Sequence, residues 1–85
     1  MFGFVPRFKS YEDAQSALEV AIWLCEETER EYHEYVGVMG DFKDPHAKFL
    51  RHQVKLAYRF RERVLSGVRK SGFSQLATNY LIGSY

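Results

Sequence analysis

The chain has a single cysteine, Cys25, and therefore cannot form an internal disulfide. A lone cysteine is typical of proteins kept in a reducing compartment, so the sequence favours the cytoplasm. Long apolar runs are missing as well. The longest covers residues 20–25, whereas a membrane-crossing helix needs about 20 residues. The N-terminal segment has no basic leader and no small-residue cleavage site, so we expect neither a signal peptide nor a membrane partner.

Residues that interrupt helices are also few. Only two prolines and six glycines occur among 85 residues, which leaves long stretches free to be helical. Hydrophobic residues make up 46% of the chain and charged residues 27%, a composition typical of a folded domain and not of a disordered one. At this length we expect one domain, residues 1–85, with one small core.

Apolar residues recur every three or four positions through residues 10–36, which predicts a long acidic helix. Ser10 and Asp13 have the spacing of a capping box at its start, with Asp in place of the usual Glu or Gln. Gly37 and Gly40 are expected to end this helix, so residues 37–44 are predicted to form a loop.

A second long helix, basic in character, is predicted for residues 45–71. Asp44 is a good N-cap, and Pro45 suits the first helical position because no N–H donor is required there. Its apolar half includes Leu56 and Phe60, which we expect to be buried. A short helix is predicted for residues 73–82, where the helical spacing resumes after Gly72.

The segment 1–9 contains Gly3 and Pro6, which oppose a helix, and it is predicted to be an extended arm with docking aromatic residues. These are Phe2, Phe4 and Phe8. The predicted fold is all-α: an antiparallel hairpin of two long helices, a short C-terminal helix and this arm. Since two helices alone cannot enclose a core, either the arm and short helix close it or two hairpins pair as a homodimer. The second option is slightly favoured.

A net charge of +1 conceals a sharp division along the chain. Residues 1–10 carry +2, residues 11–44 carry −8 and residues 45–85 carry +7. The near-neutral total therefore says little about partners, whereas the separated charge suggests that individual faces bind charged surfaces.

Five basic residues of the second long helix repeat at spacings of three and four and share the side opposite its apolar residues. We call them the cationic row: Lys48, Arg51, Lys55, Arg59 and Arg63. Like charges at these spacings repel each other, whereas a solvated face usually mixes signs. The row is interpreted as a site for a protein with an anionic surface. The alternatives are a merely solvated face, pairing with the acidic helix, or non-specific contact with nucleic-acid phosphates.

Trp23 falls among glutamates on the polar side of the first helix. Tryptophan is enriched at binding hot spots, so we expect something to cover it: the arm, a second copy or the partner. Trp23 and the cationic row together form the predicted partner-binding set.

The sequence predicts no catalytic residue, no metal ligand and no cofactor. A helical di-iron site requires Glu three positions before His, but Arg30 occupies that position relative to His33. Cys25 lies on the apolar side of its helix without a histidine at catalytic spacing, which indicates a core residue. The Gly37–Gly40 stretch is not followed by the Lys-Ser or Lys-Thr of a phosphate loop.

The predicted function is that of a small non-enzymatic regulator, adaptor or inhibitor that occupies a surface on another protein. Viruses and mobile elements use short chains with divided charge in this way against host machinery. A non-specific nucleic-acid-binding protein and a purely structural helical dimer are the two alternative functions.

Overall fold

The computed structural model describes residues 5–40 and 43–81, and within these ranges its regular secondary structure is entirely helical. Helix α1 spans Tyr11–Met39, α2 spans Pro45–Lys70 and α3 spans Ser74–Leu81. Helices α1 and α2 pack closely against each other as a hairpin, and α3 packs against α2. The predicted all-α hairpin with a short C-terminal helix is confirmed.

The start of α1 is capped as its sequence predicts, but its end lies further along the chain. The Ser10 side chain accepts a hydrogen bond of 3.2 Å from the Asp13 N–H. At the other end the helix continues through Gly37 and stops at Gly40, which has φ 68° and donates its N–H to the Val36 carbonyl. A glycine inside a helix costs only about 1 kcal/mol. Gly37 is therefore tolerated, whereas the left-handed conformation of Gly40 ends the helix.

Helix α2 begins at a junction that also fixes the end of α1. The Asp44 carboxylate accepts hydrogen bonds from the N–H groups of His46 at 2.9 Å and Ala47 at 3.3 Å. The Tyr35 hydroxyl of α1 donates to the same carboxylate at 2.7 Å. This tyrosine bond, followed by the two backbone bonds, lowers the pKa of Asp44 despite partial desolvation.

The core lies at the end of the hairpin where α3 crosses it. It consists mainly of small and aliphatic side chains from all three helices, namely Ala14, Leu18 and Ala21 of α1, Val64, Leu65 and Val68 of α2, and Leu76, Ala77 and Tyr80 of α3. Towards the loop the two long helices meet through a narrower line of buried residues: Cys25, Ala47, Leu50 and Ala57. The helices are thus well covered at one end and covered only along their mutual contact at the other.

The described part of the arm docks on the C-terminal end of α2. The Phe8 N–H donates to the Ser71 hydroxyl at 2.9 Å, and the Arg7 side chain donates to the Lys70 carbonyl at 3.3 Å. The Pro6 carbonyl lies so close to Gly67 that a Cβ at this position would collide with it. Gly67 is therefore required for close approach of the arm. Phe8 packs against the core as predicted, whereas Phe2 and Phe4 lie outside the described residues.

Candidate binding surface on the second long helix

The cationic row lies on the side of α2 turned away from α1. Lys48 precedes buried Leu50 by two positions, and Lys55 and Arg59 flank buried Ala57 at the same separation. Two residues correspond to about 200° around a helix, so these side chains project opposite to the core. Lys48, Arg51, Lys55 and Arg59 are all exposed. Lys48, Arg51 and Lys55 also line one shallow depression together with His52.

No carboxylate of the described chain forms an ion pair with these four exposed cations. Ion pairs between described residues instead join Arg30 to Glu27, Arg30 to Glu34 at 3.4 Å, and Arg61 to Glu62 at 3.7 Å. Arg63 differs from the rest of the row because it is half-buried and has an interaction partner. The exposed part of the row therefore consists of Lys48, Arg51, Lys55 and Arg59.

Several acidic side chains of α1 have partners outside the row. Two of them accept hydrogen bonds from tyrosine hydroxyls of the other helices: Glu29 from Tyr58, and Glu19 from Tyr80 at 3.4 Å. The bond to Glu29 is the largest cause of the raised pKa of Tyr58. These two contacts between the acidic helix and its neighbours thus use tyrosines of α2 and α3.

Beside the row lies an exposed apolar surface, part of which the helical periodicity predicted to be buried. Leu56 and Phe60 were expected to be buried, but they are 42% and 39% exposed, and Phe49 is 54% exposed. That expectation was wrong because α1 covers only the side of α2 that faces it. Burial of the whole apolar half of α2 would require a third element on the flank that carries Leu56 and Phe60, but α3 covers the opposite flank. We call these three residues the apolar ridge. Phe49, Leu56 and Phe60 directly follow Lys48, Lys55 and Arg59 in the sequence. This adjacency is the sequence signal that could have revealed the ridge.

Trp23 is 57% exposed and lies on α1, whereas the row lies on α2. It stands two positions from both Ala21 and Cys25, which are buried against the rest of the hairpin, so it projects from the outer side of α1. The row projects from the outer side of α2. One flat partner surface cannot reach both, and the two halves of the predicted binding set are therefore separate surfaces.

A second concave surface lies near the loop. An open groove there has an apolar floor and an acidic rim, and it is lined by Glu31, Glu34, Tyr35, Val38, Met39, His46 and Leu50. The Tyr35 and His46 rings pack in a T-shaped arrangement with centroids 4.7 Å apart, and His46 stacks on Phe49 with centroids 6.1 Å apart. These ring contacts fix one wall of the groove and connect it to the first residue of the apolar ridge.

The chemistry of the remaining candidate groups is limited by their surroundings. Cys25 is buried, and desolvation is the largest cause of its raised pKa, so its thiol is a weak nucleophile at neutral pH. Within residues 5–40 and 43–81, no three His, Cys, Asp or Glu side chains are grouped to hold a metal ion. Over the same part of the chain, no helix is both long and apolar enough to cross a membrane.

Comparison with known proteins provides no relative from which a function could be transferred. No protein-family model matches the sequence, and neither a curated protein nor a solved structure is significantly similar to it.

Proposed function

We propose that this protein is a small non-enzymatic regulator or adaptor that binds the anionic surface of another protein through the cationic row. The observation that supports the proposal is the exposure of Lys48, Arg51, Lys55 and Arg59 without an ion-pair partner in the described chain. Residues 11–44 contain ten acidic residues, yet none of those that the structure describes forms an ion pair with these four cations.

The energetics favour an external partner over a purely solvated row. Cations at i, i+3 and i, i+4 spacing repel each other by about 0.2–0.5 kcal/mol per pair. Opposing carboxylates on a partner would remove this repulsion and would steer the encounter between the two proteins. Since such steering is screened over about 8–10 Å at physiological salt, we expect association to slow markedly as salt rises.

The proposal is tested by affinity capture from the native cytoplasm with the full chain as bait. Reversal of Arg51, Lys55 and Arg59 to Glu should abolish capture of the partner while the helical circular dichroism persists. A matched control reverses Lys9, Arg69 and Lys70, which are also exposed but lie outside the row. Equal capture by both triple variants would contradict the proposal.

A nuclease-treated sample in the same experiment distinguishes the nucleic-acid alternative. Loss of the captured material after nuclease treatment would show that phosphates, and not a protein, occupy the row. In that case, binding of duplex DNA by four cations should give a slope of about −3.6 for log K against log salt. If neither triple variant changes binding and the chain sediments as a dimer, a purely structural helical dimer would replace both the protein-binding and the nucleic-acid-binding functions.

A further inference from the structure

The apolar ridge follows one side of α2 and continues into a contact that the chain already makes. Phe49, Leu56 and Phe60 are separated by seven and four residues, and Gly67 follows after seven more. These intervals place all four on the same side of the helix. At Gly67 the line is covered by Pro6 and Phe8 of the arm. The ridge is thus the uncovered continuation of an established docking line.

The surroundings of the ridge determine what it could bind. Arg61 and Leu65 line a small cavity beneath α3, which identifies the covered flank of α2, whereas Gly67 and the ridge lie on the other flank. The exposed fractions of the three ridge side chains amount to about 250 Å² of apolar surface. Lys48, Lys55 and Arg59 form one margin of this surface.

We propose that the ridge and the row together bind an acidic amphipathic helix of the partner protein. The inference rests on the proposed function and specifies the partner's chemistry. With half-buried Gln53 included, the ridge has the four-three-four spacing of a helix-packing seam. An added helix of about three turns would match its length of roughly 16 Å. Apolar side chains of that helix would pack on Phe49, Leu56 and Phe60, and its flanking carboxylates would face the row.

A second copy of the chain is the less suitable occupant. Its acidic helix exposes only Val20 and Trp23 as large apolar side chains in the central part of its outer face. Arg30 lies between Glu27 and Glu34 on this helix and pairs with both. The outer face of α1 also carries the exposed side chains of Glu12, Glu19 and Glu26. The apolar side of this helix is, however, buried in its own hairpin, so α1 would offer the row carboxylates but little apolar surface to pack on the ridge.

The test measures fluorescence anisotropy of two labelled peptides of about 14 residues with the same Leu, Glu and Ala content. In one peptide the leucines recur every three or four positions, and in the other their order is scrambled. The patterned peptide should bind about tenfold more tightly or better, and the double variant Phe49→Ser, Phe60→Ser should lose this preference. Trp23→Ser is the control, since it removes an exposed aromatic residue from the opposite edge. It should leave binding unchanged.

The contrary results separate the two proposals. One contrary result is equal binding of both peptides, with binding weakened by Lys55→Glu but not by the serine substitutions. That result would overturn the ridge proposal and leave the row as a site that recognises charge alone. Absence of peptide binding would also overturn it, and the proposed function would still be judged by the capture experiment. A chain that sediments as a dimer, and as a monomer after the serine substitutions, would assign the ridge to a second copy instead.

Discussion

Trp23 and Lys55 project from opposite edges of the hairpin. Each lies two positions from a buried residue of its own helix, Ala21 for Trp23 and Ala57 for Lys55, and the two buried lines face each other. The most exposed aromatic residue of α1 and the centre of the cationic row therefore belong to different surfaces. Under the proposed function, a partner on the row would not contact Trp23, and the apolar ridge is the exposed hydrophobic surface beside the row.

This separation leads to a prediction for the fluorescence of Trp23, the only tryptophan in the chain. Because its side chain is 57% exposed, we expect efficient acrylamide quenching in the free protein. Quenching should be unchanged when the partner or the patterned peptide binds on α2. The indole could instead be protected from acrylamide in the protein without partner or peptide, at concentrations where the chain dimerises. That result would show that a second copy covers Trp23.

Two glycines in the helices should respond in opposite ways to substitution by alanine. Gly37 has no atom within 4 Å of the position of an added Cβ, so Gly37→Ala should stabilise the protein by about 0.5–1 kcal/mol through helix propensity. At Gly67 the added methyl would collide with the Pro6 carbonyl, so Gly67→Ala should displace the arm and lose this gain. Urea denaturation of the two variants measures the difference.

Limited proteolysis provides an independent readout of the arm. Trypsin cleaves after Arg7 and Lys9, which flank the Phe8 contact with Ser71. Gly67→Ala should accelerate this cleavage, whereas Gly37→Ala should leave it unchanged. Identical cleavage in both variants would mean that the arm does not depend on the space at Gly67.

The Asp44 junction should make stability depend on acidic pH. Its hydrogen bond from Tyr35 lowers the carboxyl pKa from the ordinary value of 3.8. A carboxyl group whose pKa is lower in the folded than in the unfolded state stabilises the native state at pH values above its unfolded-state pKa. This stabilisation is lost as the pH falls through the folded-state pKa. We therefore expect Tyr35→Phe to lower the Tm at pH 6 and to have a smaller effect near pH 2.

Asp44→Asn is the companion variant, because asparagine still caps a helix but carries no charge. Its Tm deficit should shrink over the same acidic range. A deficit that is constant from pH 6 to pH 2 would show that the Asp44 charge contributes nothing to the junction.

Local signals predicted the fold well, because each depends on a few neighbouring residues. Ser10 caps α1 and Asp44 caps α2 through the backbone contacts that their positions imply. Burial on α2 was predicted less well. Helical periodicity identifies an apolar half, but it does not show how many elements cover that half, so Leu56 and Phe60 were wrongly placed in the core. Their exposure depends on α3 packing on the other flank, which no local pattern contains.

The stability of Lys55→Glu tests most directly whether the exposed part of the row is free of intramolecular carboxylate partners. Lys55 lies four residues from both Arg51 and Arg59, so glutamate there would replace two repulsive spacings with two attractive ones. If Lys55 and its neighbours Arg51 and Arg59 have no carboxylate partner within the molecule, the free energy of unfolding should rise by about 1–2 kcal/mol. Arg30→Glu, which breaks the pairs with Glu27 and Glu34, should lower it. A clear loss of stability in Lys55→Glu would show that the fold itself uses the row, and the binding proposal would then fail.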